Sequence, residues 1–213
     1  MTNFDWLETE ENTIIYIGDT MCSWCYGFAP ELDKFISNHK DYKVRIVNGG
    51  LRPGNTEKIN TMSDFLKSHW VEINERTGQP FSYKILEDVD FIYDTEPGSR
   101  AVMTVRQMNP AIELDFFKAV QTAFYKDNLN TSKLDTFLQI ASGFNLDLKE
   151  FEALYNSEET KYLTKADFQL SSEMGIKGFP SMIIKRGKEF TLLSNGFREV
   201  TDLEDVYNKI TAI

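Results

Sequence analysis

The chain is short of the residues that staple or anchor a protein. Its 213 residues include two cysteines, two histidines and six prolines. With 41% hydrophobic and 13% aromatic residues it can fill a core unaided, so disulfide staples are not required. Basic residues are outnumbered 23 to 33 by acidic ones, giving a formal charge of −10. An excess of that sign repels phosphate backbones and anionic lipid, which argues against nucleic acid and membrane surfaces as partners. No apolar run approaches the length that spans a bilayer. The first dozen residues lack the basic and apolar regions of a signal peptide. These absences lead to the expectation of a cytoplasmic protein.

What the chain does have is concentrated in M-C-S-W-C-Y-G-F-A-P, residues 21–30, which holds both cysteines. A buried-strand run, T-I-I-Y-I (13–17), precedes it, and K-V-R-I-V-N (43–48) alternates like a second strand. Between them Phe28, Leu32, Phe35 and Ile36 recur at helical spacing, predicting a helix over 22–39. Strand, helix and strand with short joints form a βαβ unit with parallel strands. From about 60 to 175 the periodicity is helical, with four apolar stripes: Met62/Phe65/Leu66/Trp70/Ile73, Ile112/Phe116/Phe117/Val120/Phe124, Leu134/Phe137/Leu138/Ala141 and Leu163/Ala166/Leu170/Met174. The chain then returns to strands in S-M-I-I-K (181–185) and E-F-T-L-L (189–193), joined by a glycine-containing turn. A capping box, Thr201 to Glu204, predicts the start of a last helix that buries Leu203, Val206, Tyr207 and Ile210. The expected order is βαβ, a helical block, then ββα, with the two ends closing into one four-stranded mixed sheet.

This order places the cysteines at the start of a helix, where unpaired N–H groups and the helix dipole favour a thiolate. A zinc site would need four ligands, but His39 and His69 are far apart and there is no second cysteine pair. A structural bridge over so small a loop would stabilise little. A redox-active dithiol suits the spacing and the strand-to-helix context.

Strand, C-S-W-C, Tyr26, Pro30 and a late Gly178-Phe179-Pro180 before a hairpin resemble the thioredoxin superfamily. The helical insertion is similar to its DsbA-like branch. D-T-M-C-S-W-C-Y-G-F-A-P-E-L, N-G-G-L-R-P-G (48–54) and E-P-G-S-R-A-V (96–102) resemble that branch's cytoplasmic predicted protein-disulfide isomerases. The resemblance implies an α/β thioredoxin fold made of residues 1–55 and 176–213, with an inserted all-helical domain over 56–175. It implies a thiol–disulfide oxidoreductase or isomerase in which exposed Cys22 attacks a disulfide, a mixed disulfide forms and deeper Cys25 resolves it. Pro180 would be a cis-proline facing the pair, and Phe179 would offer its backbone to substrate like an added strand. Pro30 would kink the active-site helix. Ser23 and Trp24 would tune the couple. Without a histidine between the cysteines, that couple should be more reducing than in the strong oxidases. Where the resemblance implies a buried carboxylate, six positions before the attacking cysteine, this chain has Tyr16, so that either Asp19 substitutes, water does the work, or the step is slower.

Trp24 and Phe179 are expected to contact substrate, and Arg52 or Arg100 to hold a carboxylate of substrate or glutathione. Phe28 reads as core, His69 as a core or cleft-edge residue, and His39 as facing the end of its helix. Asp88, Asp90, Asp94 and Glu96 read as a solvated loop, and Asn130-Thr131-Ser132 as a helix cap. No cofactor or metal is expected, with glutathione or another small thiol as a possible co-substrate. The partners would be disulfide-containing proteins or small thiols, acting on a monomer or dimer. Two alternatives stand beside this reading. One is a glutathione-dependent isomerase or transferase of the kappa and hydroxychromene-carboxylate isomerase type, which retention of Cys25 disfavours. The other is a redox-sensing adaptor.

Overall fold

The β-rich ends of the chain do pair into one sheet. The computed structural model describes residues 4–212. A short α1 (Trp6–Thr9) leads into β1 (Asn12–Gly18), α2 (Ser23–Asn38) and β2 (Lys43–Asn48), and β3 (Ser181–Arg186), β4 (Glu189–Asn195) and α9 (Val200–Thr211) close the chain. The strand order is β2-β1-β3-β4, with β1 parallel to β2 and antiparallel to β3. As one of the two inner strands, β1 buries both its faces. Ile14 and Tyr16 enter the core that includes Phe28, Leu32 and Phe117, while Ile15 and Ile17 join Leu170 and Ile183 on the other side. This is the two-residue alternation of a strand covered on both faces.

Six helices fill the span between β2 and β3: α3 (Ser63–Thr77), α4 (Glu96–Met108), α5 (Glu113–Tyr125), α6 (Leu134–Gly143), α7 (Leu148–Asn156) and α8 (Glu158–Glu173). None of the described helices is long and apolar enough to cross a membrane. The apolar stripes largely face inward, with one exception. Phe65 is 65% exposed, because the buried ridge of α3 runs through Leu66, Trp70 and Ile73 and leaves position 65 on its flank. The Phe65 ring stacks instead on His69, at 5.9 Å and 10°.

Two expected caps are built differently. α9 begins at Val200, and neither Thr201 nor Glu204 caps it. The Val200 amide donates to Glu31 Oε2 on α2 (2.8 Å), while Glu204 binds Asn38 and His39 at the far end of α2. Asn130 accepts the Ser132 amide and hydroxyl in a turn ahead of α6, whose N-cap position is Lys133. In the acidic loop, Asp88 and Asp94 accept backbone amides as turn builders. Among the described residues no group of three or more His, Cys, Asp or Glu could hold a metal.

Helix α2 continues through Pro30. A proline cannot donate to the carbonyl four residues back, and that carbonyl, on Tyr26, accepts from Gln79 Nε2 just beyond α3 (3.0 Å). A buried ion cluster ties the helical block to the sheet. Arg106 of α4 donates to both oxygens of Asp167 on α8 (2.9 and 2.8 Å), to Glu113 (2.7 Å) and to the Ile46 carbonyl (2.8 Å). Asp167 also accepts the backbone and side-chain N–H of Asn48, the last residue of β2. Burial disfavours the Arg106 cation, but Asp167 and Glu113 more than compensate and raise its proton affinity.

Without Asp167, Arg106 keeps only Glu113 as a charged partner among the described residues, and the Asn48 backbone and side-chain N–H groups lose their acceptor in a buried site. Asp167→Ala is therefore expected to lower stability by roughly 3–5 kcal/mol, as read from the urea midpoint.

Candidate active site

Cys22 occupies the N-cap position of α2 in an extended conformation, with its amide donating to the Asp19 carbonyl (3.1 Å). Cys25 follows one turn later. Both thiols are free. Cys22 is more covered than the resemblance implied, at 7% exposed against 0% for Cys25. Its sulfur lies against the carbonyl of Phe179 and donates to it at 3.6 Å. The Phe179–Pro180 bond is cis, and the loop before β3 meets the start of α2 at the Cys22 sulfur. Burial, and then the adjacent Cys22, push the Cys25 thiol well above its ordinary range, and the Asp19 amide and the Tyr16 hydroxyl only partly offset this.

Tyr16 of β1 lies beside the Cys25 thiol. Its ring packs between Phe28 (6.2 Å) and Phe117 (5.7 Å), and its hydroxyl is placed to hydrogen-bond the Cys25 sulfur. A side chain at position 18 would block this arrangement, since a Cβ on Gly18 would sit 2.8 Å from the Tyr16 oxygen. Burial first, and then Cys25, hold the phenol far above its ordinary value. It therefore keeps its proton and acts as a donor.

Asp19 is buried beside the pair. Its carboxylate accepts the Met21 amide (2.9 Å), the Leu51 amide (2.8 Å) and the Thr95 hydroxyl. Thr95 in turn accepts the Arg52 amide (3.0 Å). Gly98 lies so close to Thr20 that a Cβ would come within 2.3 Å of its hydroxyl. The segment N-G-G-L-R-P-G and Thr95, the residue just ahead of E-P-G-S-R-A-V, are distant in sequence and meet at one carboxylate.

The cleft is walled by aromatics. Ser23 and Trp24 are half-buried. The Trp24 ring meets Phe197 (5.6 Å) and, edge-on, His69 (6.0 Å), which puts His69 at the cleft rim. The Phe179 ring covers Gly49, where a Cβ would lie 2.3 Å from it. Trp24, Arg76, Phe179, Gly196 and Phe197 enclose a cavity of about 240 Å³. Arg52 lies on a different flank, bound to Glu57 (3.1 Å) and over Tyr93 (5.5 Å), whose hydroxyl donates to the Met21 carbonyl. Arg100 is engaged in the helical block by Glu96 (3.1 Å) and the Tyr155 ring (4.2 Å). His39 ends α2 and bonds Glu204 (2.9 Å). The sequence reading passed over Arg76, Thr95 and Phe197, which no motif marks.

Desolvation outweighs the three hydrogen bonds and pushes Asp19 up to about 6, whereas an unfolded aspartate titrates near 4. Stability from this group is full below about pH 4 and is lost as pH rises through about 6. Denaturation from pH 4 to 7 should show the wild-type advantage over Asp19→Asn shrinking by on the order of 2–3 kcal/mol. The difference should be flat above that window.

Residues 13–208 match the DSBA-like thioredoxin domain. No curated protein matches the chain in sequence. Among solved structures, a candidate protein disulfide isomerase from Nitrosomonas europaea is 32% identical with a TM-score of 0.88, over 95% of this chain and 98% of its own. The cytosolic disulfide reductase DsbM from Pseudomonas aeruginosa shares the fold at 21% identity and a TM-score of 0.80, over 94% of this chain and 100% of its own. Its structure with GSH is similar at 20% identity and a TM-score of 0.75, over the same shares of 94% and 100%. With both cysteines, the cis-proline loop and the intervening helices all inside the matched span, the chain belongs to the DsbA-like thioredoxin-domain family, a family of thiol–disulfide oxidoreductases.

Proposed function

We propose that this chain reduces and isomerises disulfides through the Cys22-Ser23-Trp24-Cys25 dithiol. One observation carries the reading: the Cys22 sulfur rests at a helix N-cap against the Phe179 carbonyl, with a fully buried thiol, Cys25, next to it. The Cys22 thiolate attacks one sulfur of a substrate disulfide, forming a mixed disulfide and releasing the first substrate thiolate. Cys25 then attacks the Cys22 sulfur, closing the Cys22–Cys25 disulfide. The second substrate thiol departs with the proton that Cys25 gives up. Tyr16 donates to the Cys25 sulfur as its charge develops. Two equivalents of a small thiol would return the pair to the dithiol.

Phe179 and Pro180 would align the substrate backbone, and Trp24 would cover it. Arg52 would take a substrate carboxylate by exchanging Glu57 for it. We assign residues 1–55 and 176–213 to the redox unit and 56–175 to an inserted unit that walls the cleft. The absence of a histidine between the cysteines supports a reducing direction. The names of the similar DsbM structures, a cytosolic disulfide reductase and its GSH complex, support a cytoplasmic setting with glutathione as co-substrate. A glutathione-dependent isomerase or transferase would have no use for a second thiol beside the first.

If the roles are as assigned, iodoacetamide modifies Cys22 much faster than Cys25 in the native protein, as mass spectrometry of timed samples will show. Cys22→Ser should abolish disulfide reduction, and Cys25→Ser should accumulate mixed disulfides with its substrates. Equal alkylation of the two thiols contradicts the assignment.

Tyr16→Phe keeps the ring and removes the donor. Resolution of a preformed mixed disulfide should slow about tenfold, the scale of a hydrogen bond to a charged group. Its pH–rate profile should move to higher pH, while Cys22 alkylation stays at the wild-type rate. A resolution profile identical to wild type would exclude this role.

A further inference from the structure

The proposed reaction leaves one charged side chain of the cleft without a task. Arg76, in the last turn of α3, lays its guanidinium over the rings of Phe197 and Trp24, 5.2 and 6.0 Å from their centroids. It lines the 240 Å³ cavity with Trp24, Phe179, Gly196 and Phe197. The backbone carbonyl of that same Phe179 receives the Cys22 thiol, so one residue borders both the cavity and the Cys22 sulfur.

Among the described residues, no carboxylate or carbonyl takes up the N–H donors of Arg76. The chain carries ten more acidic than basic residues, and acids do lie nearby. Glu31 is bound to Lys34 and the Val200 amide, and Glu72 sits by His69 (3.9 Å). Glu199 lines the adjoining groove with Arg76 but does not pair with it. A guanidinium spread on aromatic faces is fixed in orientation by stacking, and its planar fork of donors is matched to a carboxylate. Arg76 is exposed, so those in-plane donors face solvent and are open to an incoming anion.

We propose that Arg76 forms an anion-binding wall of the substrate site, taking a carboxylate carried close to the reacting sulfur. Trp24 and Phe197 cover the apolar part of the same molecule. The proposal rests on the oxidoreductase reading and narrows its small-thiol co-substrate to acidic peptide thiols, the glutathione class, whose mixed disulfide with Cys22 forms in either direction of the exchange. The cavity is smaller than most ligand pockets, so it holds one end of such a molecule. An acidic residue beside a cysteine in a protein substrate offers the same group, and the test separates the two sources.

The pre-reduced protein is mixed with glutathione disulfide or with uncharged bis(2-hydroxyethyl) disulfide, and the second-order rate of dithiol oxidation is followed. The ratio of the two rates should drop about tenfold in Arg76→Ala, the scale of one charge-assisted contact at a partly exposed site, and recover in part in Arg76→Lys. Added salt should shrink the wild-type ratio more than that of Arg76→Ala. Lys188→Ala removes the same charge at the β3–β4 turn and should leave the ratio at the wild-type value. A ratio unmoved by Arg76→Ala, or moved equally by Lys188→Ala, overturns the subsite. If an acid-flanked protein disulfide responds to Arg76→Ala and glutathione disulfide does not, the small-thiol assignment falls. Wild-type protein inert towards both small disulfides would overturn the oxidoreductase reading, and the subsite with it.

Discussion

The turn that carries the two cysteines is organised around the buried carboxylate of Asp19. Taking a carboxylate out of water costs several kcal/mol unless hydrogen bonds replace its hydration. Here two backbone amides and a hydroxyl offset only part of that cost, and each belongs to a different segment. The Met21 amide fixes the turn into α2, the Leu51 amide fixes the loop after β2, and Thr95 carries the connection on to Arg52 and the start of α4. The backbone of Asp19 serves as well, because its carbonyl accepts the Cys22 amide and its N–H faces the Cys25 sulfur. The geometry of both cysteines therefore follows from a group that forms no bond to substrate.

Around this polar centre the joint between sheet and helical block is aromatic. Met21 and Tyr26, from the active-site turn, pack into a cluster with Trp70, Phe91, Tyr93, Phe124 and Tyr125 from the intervening helices and loops. Rings at near-contact distance, such as Tyr26 on Tyr125 at 4.9 Å and Trp70 on Tyr125 at 5.0 Å, combine large buried area with few rotatable bonds. The cleft walls contributed by α3 are thereby held rigidly relative to α2. That rigidity keeps Trp24 between His69 and Phe197 instead of free in solvent.

Much of this was legible in the amino-acid order, for a physical reason. Strand alternation and helical stripes are local periodicities, and they place β1, α2, β2 and the hairpin correctly. The cysteine pair and Phe179-Pro180 carry their chemistry in their own residue types. What could not be read is convergence across long loops. Asp19 meets Leu51 and Thr95, and Arg106 meets Asp167, only because the chain folds back. No spacing rule marks such partners. The misread features have the same origin. Thr201 to Glu204 has the form of a local cap, but a carboxylate on α2 binds the Val200 amide and Glu204 turns to His39. Phe65 has helical spacing, yet the ridge beside it had already filled the interface.

The hydrogen bond that Pro30 removes from α2 has a consequence for how the protein comes apart. The rung missing from that helix is supplied by Gln79, whose own segment is fastened by Asn74 to the end of α3. A fluctuation that frays the first turns of α2 strands the Tyr26 carbonyl, and one that lifts the end of α3 strands it too. The two openings share a penalty, so neither is favoured alone. The irregularity in one helix thus acts as a cooperative latch, and the turn bearing the cysteines is expected to share the hydrogen-exchange protection of the helical block behind it.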